Sequence, residues 1–444
     1  MTGIRKKDVS RRSVLKTTTV LAAGAALGGA GTLLDHATAF AAESPFKPEK
    51  GASLRMLRWN RFVETEDIQF DKSIAAFQKA TGIKVRLDKE FIDDIQPKAA
   101  VAANVGAGPD IIWGPMAIPH LIPDKLLDVT DVADYLGGKY GGWYDAPAAY
   151  GIRDGNWMAL PLCVSGNYIN YRVKAVQDAG FEKFPDTTAG LMELSKKLKA
   201  NGLPGGMALG RATGDGNAWC HWLVWSHGGK LVDKDGNVTI NSAETQAALE
   251  YIRELYEYWI PGTASWNDSN NNKIFLSGEL GYTNNGISIY AAAVRQGMDI
   301  AKDIDHAFYP IGPIGKPTEL QLPFMIEAFK YTKYPNACKL LMSYLMEANQ
   351  YDAWLEASVG YFTQTLKAYE ANTVWTEDPK RRVFKEASTR TLDMGYAGSL
   401  GYAAAGALAD FVVVDMVSQA ATGQTSPKEA METAQRRAER YYRV

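Results

Sequence analysis

A chain of 444 residues exceeds one ordinary core and suits two lobes, each large enough to bury its own apolar side chains. Its 46% hydrophobic and 22% charged residues exclude disorder and fibrous repeats, and a formal net charge of -2 leaves no general attraction for nucleic acid or anionic lipid. Three cysteines, Cys163, Cys220 and Cys338, lie far apart with no CxxC or Cys/His spacing, which argues against zinc and for buried thiols.

The chain opens with Ser10-Arg11-Arg12-Ser13-Val14-Leu15-Lys16, which looks like a twin-arginine export signal. An apolar, Gly/Ala-rich run follows from about Val20 to Leu34. It is too short and too rich in glycine for a stable membrane span, which needs about 20 apolar residues. Small residues at Ala37, Ala39, Ala41 and Ala42 offer a cleavage site near Ala41, with retention as an uncleaved anchor the alternative. Residues 1–42 thus read as a signal peptide directing the protein to the periplasm, and 43–53 as a linker. Without 1–42, which hold six basic and two acidic residues, the remainder carries -6.

Leu54–Trp59 alternates like a strand, and after a polar loop Ile68, Ile74 and Phe77 recur at helical spacing until Thr81-Gly82. Ile83, Val85 and Leu87 form the next strand, giving a β-α-β unit with a parallel pair. A second helix through Val101 ends at Gly106, and Asp110–Gly114 is a short apolar run suited to a buried parallel strand. Trp157–Pro161 and Asn167–Tyr171 read as extended segments where the chain crosses to a second lobe. Asn241 with Glu244 three residues on predicts a helix start, with Leu249, Ile252, Leu255 and Tyr256 facing inward. Ser426-Pro427-Lys428-Glu429 predicts another, with arginines gathered toward its far end where the helix dipole favours cations.

A set of landmarks in fixed order resembles the extracellular solute-binding proteins of carbohydrate ABC importers, the group that includes maltose-binding protein. They are Phe77–Val85, Pro109–Trp113, Leu160-Pro161 through Tyr171-Arg172, Trp225–Lys230, Phe275–Glu279 with Thr283–Gly286, Tyr334–Lys339 and Ser426–Met431. The resemblance covers nearly all of the chain after the signal. It implies an α/β architecture of two doubly wound lobes, the periplasmic binding protein type 2 fold, with a hinge and an interlobe ligand cleft whose closure reports occupancy to a membrane permease. By analogy the N-terminal lobe takes 54–161 plus 310–352, and the C-terminal lobe 162–309 plus 353–444. It also implies a monomer without a cofactor, partnered by a small solute (a sugar or polyol) and by the permease subunits. The family's usual Trp in the Thr283–Tyr290 stretch is replaced by Ser288, so maltose-type stacking does not transfer directly.

A sugar presents hydroxyls at its rim and C–H groups on its faces, so its site needs aromatic platforms beside amides and carboxylates. Ligands in open sheets lie beyond the carboxyl ends of strands, which selects Trp59 and Asn60 after the first strand and Trp113 after the third. Asp215, Asn217 and Trp219 open an apolar helix after turn residues; caps and core are their bland reading. Trp266 and Asn267 head a dense amide block, and Asn284 and Asn285 follow a short strand. Tyr361 and Tyr396 stand where relatives place glycine-flanked aromatics near the ligand.

Asp233–Asn237 superficially resembles a calcium loop, but Val238 occupies the position that needs glycine, so a hairpin turn is preferred. No catalytic or nucleotide fingerprint occurs. The alternative functions are an exported glycan hydrolase using cleft carboxylates, or an adaptor presenting a ligand to a sensor.

Overall fold

The computed structural model describes residues 32–60 and 62–443; the twin-arginine motif and most of the apolar run lie outside them. Thr32 and Asp35 form a capping box that starts α1, Leu33–Glu43, whose Ala37 and Phe40 are buried, with the Phe40 ring 5.6 Å from that of Tyr344. The expected cleavage region is therefore helical and docked. The expected linker is docked as well: Phe46 packs edge-on to Tyr135, and the Glu49 carboxylate accepts from the backbone N–H groups of Asn336 and Ala337.

Strand β1, Ser53–Trp59, pairs in parallel with β2, Lys84–Glu90, through α2, Glu64–Thr81, which Gly82 ends in the left-handed conformation. The buried stripe of α2 is Phe70, Ser73, Ile74 and Phe77; Ile68, expected inside, is 45% exposed. Helix α3, Ile92–Val105, returns to β3, Ile111–Pro115, parallel to β1 on its other side. Strand β4, Leu160–Ser165, completes the first pass, and β5, Tyr168–Arg172, begins the second lobe. There β5 lies between β6, Tyr282–Asn285, and β7, Ile304–Ala307, antiparallel to both. The chain then returns: β8, Pro323–Ala328, inserts antiparallel between β3 and β4, and β9, Phe362–Thr363, adds to the edge of β4. The first-lobe sheet thus runs β9-β4-β8-β3-β1-β2. The class is α/β as expected, but antiparallel neighbours occur in both lobes: in the first because β8 and β9 return from the second lobe, and in the second within the segment 168–307 itself.

Packing also moves the expected lobe boundaries. Strand β4 stays in the first-lobe sheet to Ser165, so the first crossing falls at Gly166-Asn167 and not at 161. Ile311 still pairs with Thr187, and Ser226 backs Gly312, so the return crossing lies nearer Leu320–Leu322 than 310. Helices α4, Asp215–Ser226, and α5, Ala243–Tyr256, belong to the second lobe; the cap of α5 is Ser242, one residue after the expected Asn241. The later helix α6, Ala348–Ala357, packs on α2, and its Trp354 stacks on Phe362 at 4.8 Å. The last crossing therefore follows Trp375, whose Nε1 donates to Gln364, and precedes Asp378, which accepts from the Tyr290 hydroxyl. The apolar stretch Tyr402–Ala421 breaks at Phe411 (φ +53°) into α7, Tyr402–Ala409, and α8, Val412–Ala421. Both pack against α9, Pro427–Tyr442, whose Ser426/Glu429 capping box forms as expected. Asp233–Asn237 is a hairpin turn closed by the Val232–Val238 bridge, and all three cysteines are buried and free.

Candidate ligand-binding cleft

Residues from both lobes meet at a small central cavity of about 30 Å³. Phe62, Ile92 and Phe324 supply an apolar wall from the first lobe, Asn167, Asp215, Asp268 and Asn285 a polar one from the second, and Tyr361 joins them. Gly286 is needed here because an added Cβ would come 2.7 Å from the Tyr361 ring. The groove widens on both sides. Past Ile92 lies a 170 Å³ chamber with Asp93, Gln96, Met116, Thr213 and Asn217; past Phe62 lies a 530 Å³ chamber with Glu64, Tyr290, Arg295 and Arg381. The Thr213 hydroxyl donates across the groove to Asp93, and Arg295 pairs with Glu64. The lobes are therefore closed on each other. A larger cavity of 660 Å³ lies on the outer face of the first lobe, between β2 and α3, and has no part in the interface.

The polar wall is a connected network. Asp268 accepts from the N–H groups of Gly214 (3.1 Å) and Asp215 (2.6 Å) at the start of α4, a position where the helix dipole favours a carboxylate. Asp215 accepts from the amides of Asn167 (2.6 Å) and Asn271 (2.7 Å). The Asn284 amide donates to Asn167 (3.1 Å) and to the Asp215 carbonyl (3.0 Å), and Tyr309 donates to Asn167 (2.7 Å). Ser288, in the place of the family's Trp, is buried and links Asn272 to Asn285. Two amide oxygens, Asn217 Oδ1 and Asn284 Oδ1, are buried without a partner, a state that costs free energy until something donates to them.

Burial dominates the electrostatics. It pushes the Asp215 carboxyl well above its usual range, with the nearby Asp268 charge adding to the effect. Burial raises Asp268 to about 6 against the opposing pull of the Asp215 N–H, with Asp93 raising it further. Asp93 is raised by burial, against the Thr213 hydrogen bond.

Of the twelve residues expected at the site, the structure brings together Asp215, Asn217, Asn284, Asn285 and Tyr361. Trp59 and Trp113 are corrected to core residues. Their rings lie 4.3 Å apart, and Trp113 is fully buried against Phe70 and Trp354, one layer behind the Phe324 that faces the cavity. Asn60 is exposed and lines no part of the groove; its N–H extends the pairing with Glu90. Trp219 is core, donating to the Ala208 carbonyl beside Trp259. Trp266 is buried against Gly206, and Asn267 is spent on a turn with Ser269 and Asn270. Tyr396 packs on Trp225, away from the cavity. Sequence reasoning missed Phe62, Asp93, Asn167, Thr213, Asp268 and Asn271. The strand-end rule, applied to β2 as well, would have reached Asp93 just beyond it, and the amide block already contained Asp268 and Asn271.

Two α/β lobes shut on a polar groove define a solute-capturing fold, and comparisons place the chain within it. The chain belongs to the bacterial extracellular solute-binding protein family, whose model matches residues 72–383. Maltose-bound MalE3 of T. maritima superposes with a TM-score of 0.77 at 18% identity, covering 88% of this chain and 99% of that one. A sugar transporter protein of Arthrobacter chlorophenolicus A6 with bound laminaribiose gives 0.75 at 19% identity, covering 88% and 99%. A solute-binding protein of Agrobacterium radiobacter K84 in complex with ribitol gives 0.75 at 16% identity, covering 89% and 100%. At these identities the likeness concerns the fold. By sequence, the chain is 23% identical over 249 residues, 54% of its length, to a Deinococcus radiodurans protein named "Probable ABC transporter-binding protein". The chain spans about 58% of the length of that curated relative.

Proposed function

We propose that the protein is the substrate-binding component of an ABC importer, exported to the periplasm by the twin-arginine route. It captures a sugar or polyol between its lobes, as a monomer without a cofactor, and delivers it unaltered to the permease. The observation that carries this reading is the groove itself: an amide and carboxylate wall on one lobe faces apolar and aromatic side chains on the other, with two buried amide oxygens still unpartnered. The relatives solved with maltose, laminaribiose and ribitol support a hydroxylated ligand. Asp93, Asn167, Asp215, Asn217, Asp268, Asn285 and Tyr361 form the proposed contact set. A thermal-shift screen of mono-, di- and oligosaccharides and polyols tests it. A true ligand stabilises the protein by about 2.7 kcal/mol at a hundredfold excess over Kd and is recovered intact; formation of a cleaved product would instead favour a hydrolase.

A further inference from the structure

Three carboxylates converge on one stretch of the groove, and all their hydrogen-bond donors are neutral. Asp93 comes from the first lobe and accepts from the Thr213 hydroxyl; Asp215 is held by two asparagine amides; Asp268 is held by backbone N–H groups. None of the three forms an ion pair among the described residues. The arginines that border the groove are already matched to other acids: Arg211 to Asp415 in a bidentate pair, Arg295 to Glu64, and Arg381 to Glu377. Closing the lobes therefore gathers negative charge in a space of low polarity with no cation among the described residues paired to it, an arrangement that is costly unless a ligand brings the missing charge.

A second observation points the same way. Asn217 lines the chamber that Asp93 and Thr213 share; its side chain is 2% exposed, and its Oδ1 has no donor. An ammonium group carries three N–H donors and no acceptor, matching a set of carboxylate and amide oxygens. We infer that the ligand is a polyhydroxylated amine, of the amino-sugar or aminocyclitol class, with its ammonium seated between Asp93 of one lobe and the Asp215/Asp268 pair of the other. This rests on the solute-capture reading and narrows it. The raised protonation range of all three carboxyls is what closure without such a cation would produce.

The test is calorimetric titration of the full chain at neutral pH with matched pairs: glucose and glucosamine, galactose and galactosamine, mannose and mannosamine. Maltose and ribitol serve as neutral references, and 2-deoxystreptamine as the aminocyclitol. The amine is expected to bind at least tenfold tighter than its neutral parent. Asp93→Asn should weaken amine binding at least tenfold and weaken its neutral parent less, so that the amine-to-parent affinity ratio falls at least fivefold; Asp268→Asn, checked for folding by circular dichroism, should lower the ratio likewise, and a ratio unchanged in both variants overturns the inference. A neutral sugar that binds as tightly as its amine, or a panel in which no amine binds, overturns the inference. In the first case solute capture stands, whereas failure of every sugar, polyol and amine to bind removes both readings.

Discussion

The two walls of the groove are built on opposite plans. Behind the first-lobe wall lies a dry aromatic stack: Trp59, Trp113, Phe70, Trp354 and Phe362 are in ring contact, and the Arg58 guanidinium sits 4.4 Å over Trp113 while paired with Glu66 at 2.9 Å. The second-lobe wall is a lattice of asparagines and aspartates in which most donors and acceptors are matched within the lobe. Rings hold the first lobe rigid from behind, and amides shape the second at the face. Trp59 and Trp113 are therefore scaffold, and the side chains that the second lobe presents to the groove are small and polar.

Five substitutions sharpen that contrast. Trp113→Ala should cost about 3–5 kcal/mol of stability in a denaturant titration, the usual loss for a large buried aromatic. Glu66→Leu should cost a similar amount, about 3–5 kcal/mol, because it takes the nearest carboxylate from a buried guanidinium, leaving Asp67 at 3.9 Å, and removes the acceptor of Trp354 Nε1. The double variant Arg58→Met/Glu66→Leu should recover most of that loss, and a double variant no better than the single would show that the pair adds net stability. On the polar wall, the carboxyl of Asp268 is raised to about 6 in the fold, so the folded protein holds a proton there that the unfolded chain releases at lower pH. Its contribution is fully present below the unfolded value of 3.8 and is lost as pH rises through about 6. Asp268→Asn should remove about 3 kcal/mol of that pH dependence, read as a smaller fall in melting temperature between pH 4 and 7 than in the parent. The smallest effect is at the periphery, where Ser426→Ala should cost about 1 kcal/mol by opening the capping box of α9, with ligand affinity unchanged.

Much of the first lobe was legible because its elements are local. Strands β1 to β3 and helices α2 and α3 carry their own periodicity and stop signals, and the Ser426 cap is a contiguous motif. The polar half of the site was partly legible, since Asp215 and Asn217 open a helix and Asn284 and Asn285 end a strand. The tryptophans misled because a residue at a strand end points to one face of the sheet or the other, and sequence does not say which; Trp113 packs against Phe70 of α2 and Trp354 of α6, and Trp59 against Trp113, Phe324 and Phe362. The convergence of Asp93, Asp215 and Asp268 depends on how two lobes meet, which no local pattern encodes. The last crossing was placed at 352–353 for the same reason: that Trp354 stacks on Phe362 within the first lobe is a contact no local pattern encodes.

The position of β8 bears on how the chain is made. Residues 323–328 fill the slot between β3 and β4, so a nascent chain that has emerged only as far as Ser165 holds two strands whose facing edges are unpaired, and the second-lobe segment 166–322 must be synthesised before the gap is filled. Exposed edges of this kind invite pairing with other chains. Shielding by a chaperone should therefore matter most during translation of residues 166–322, and a fragment ending before 323 should aggregate while the full-length protein stays soluble.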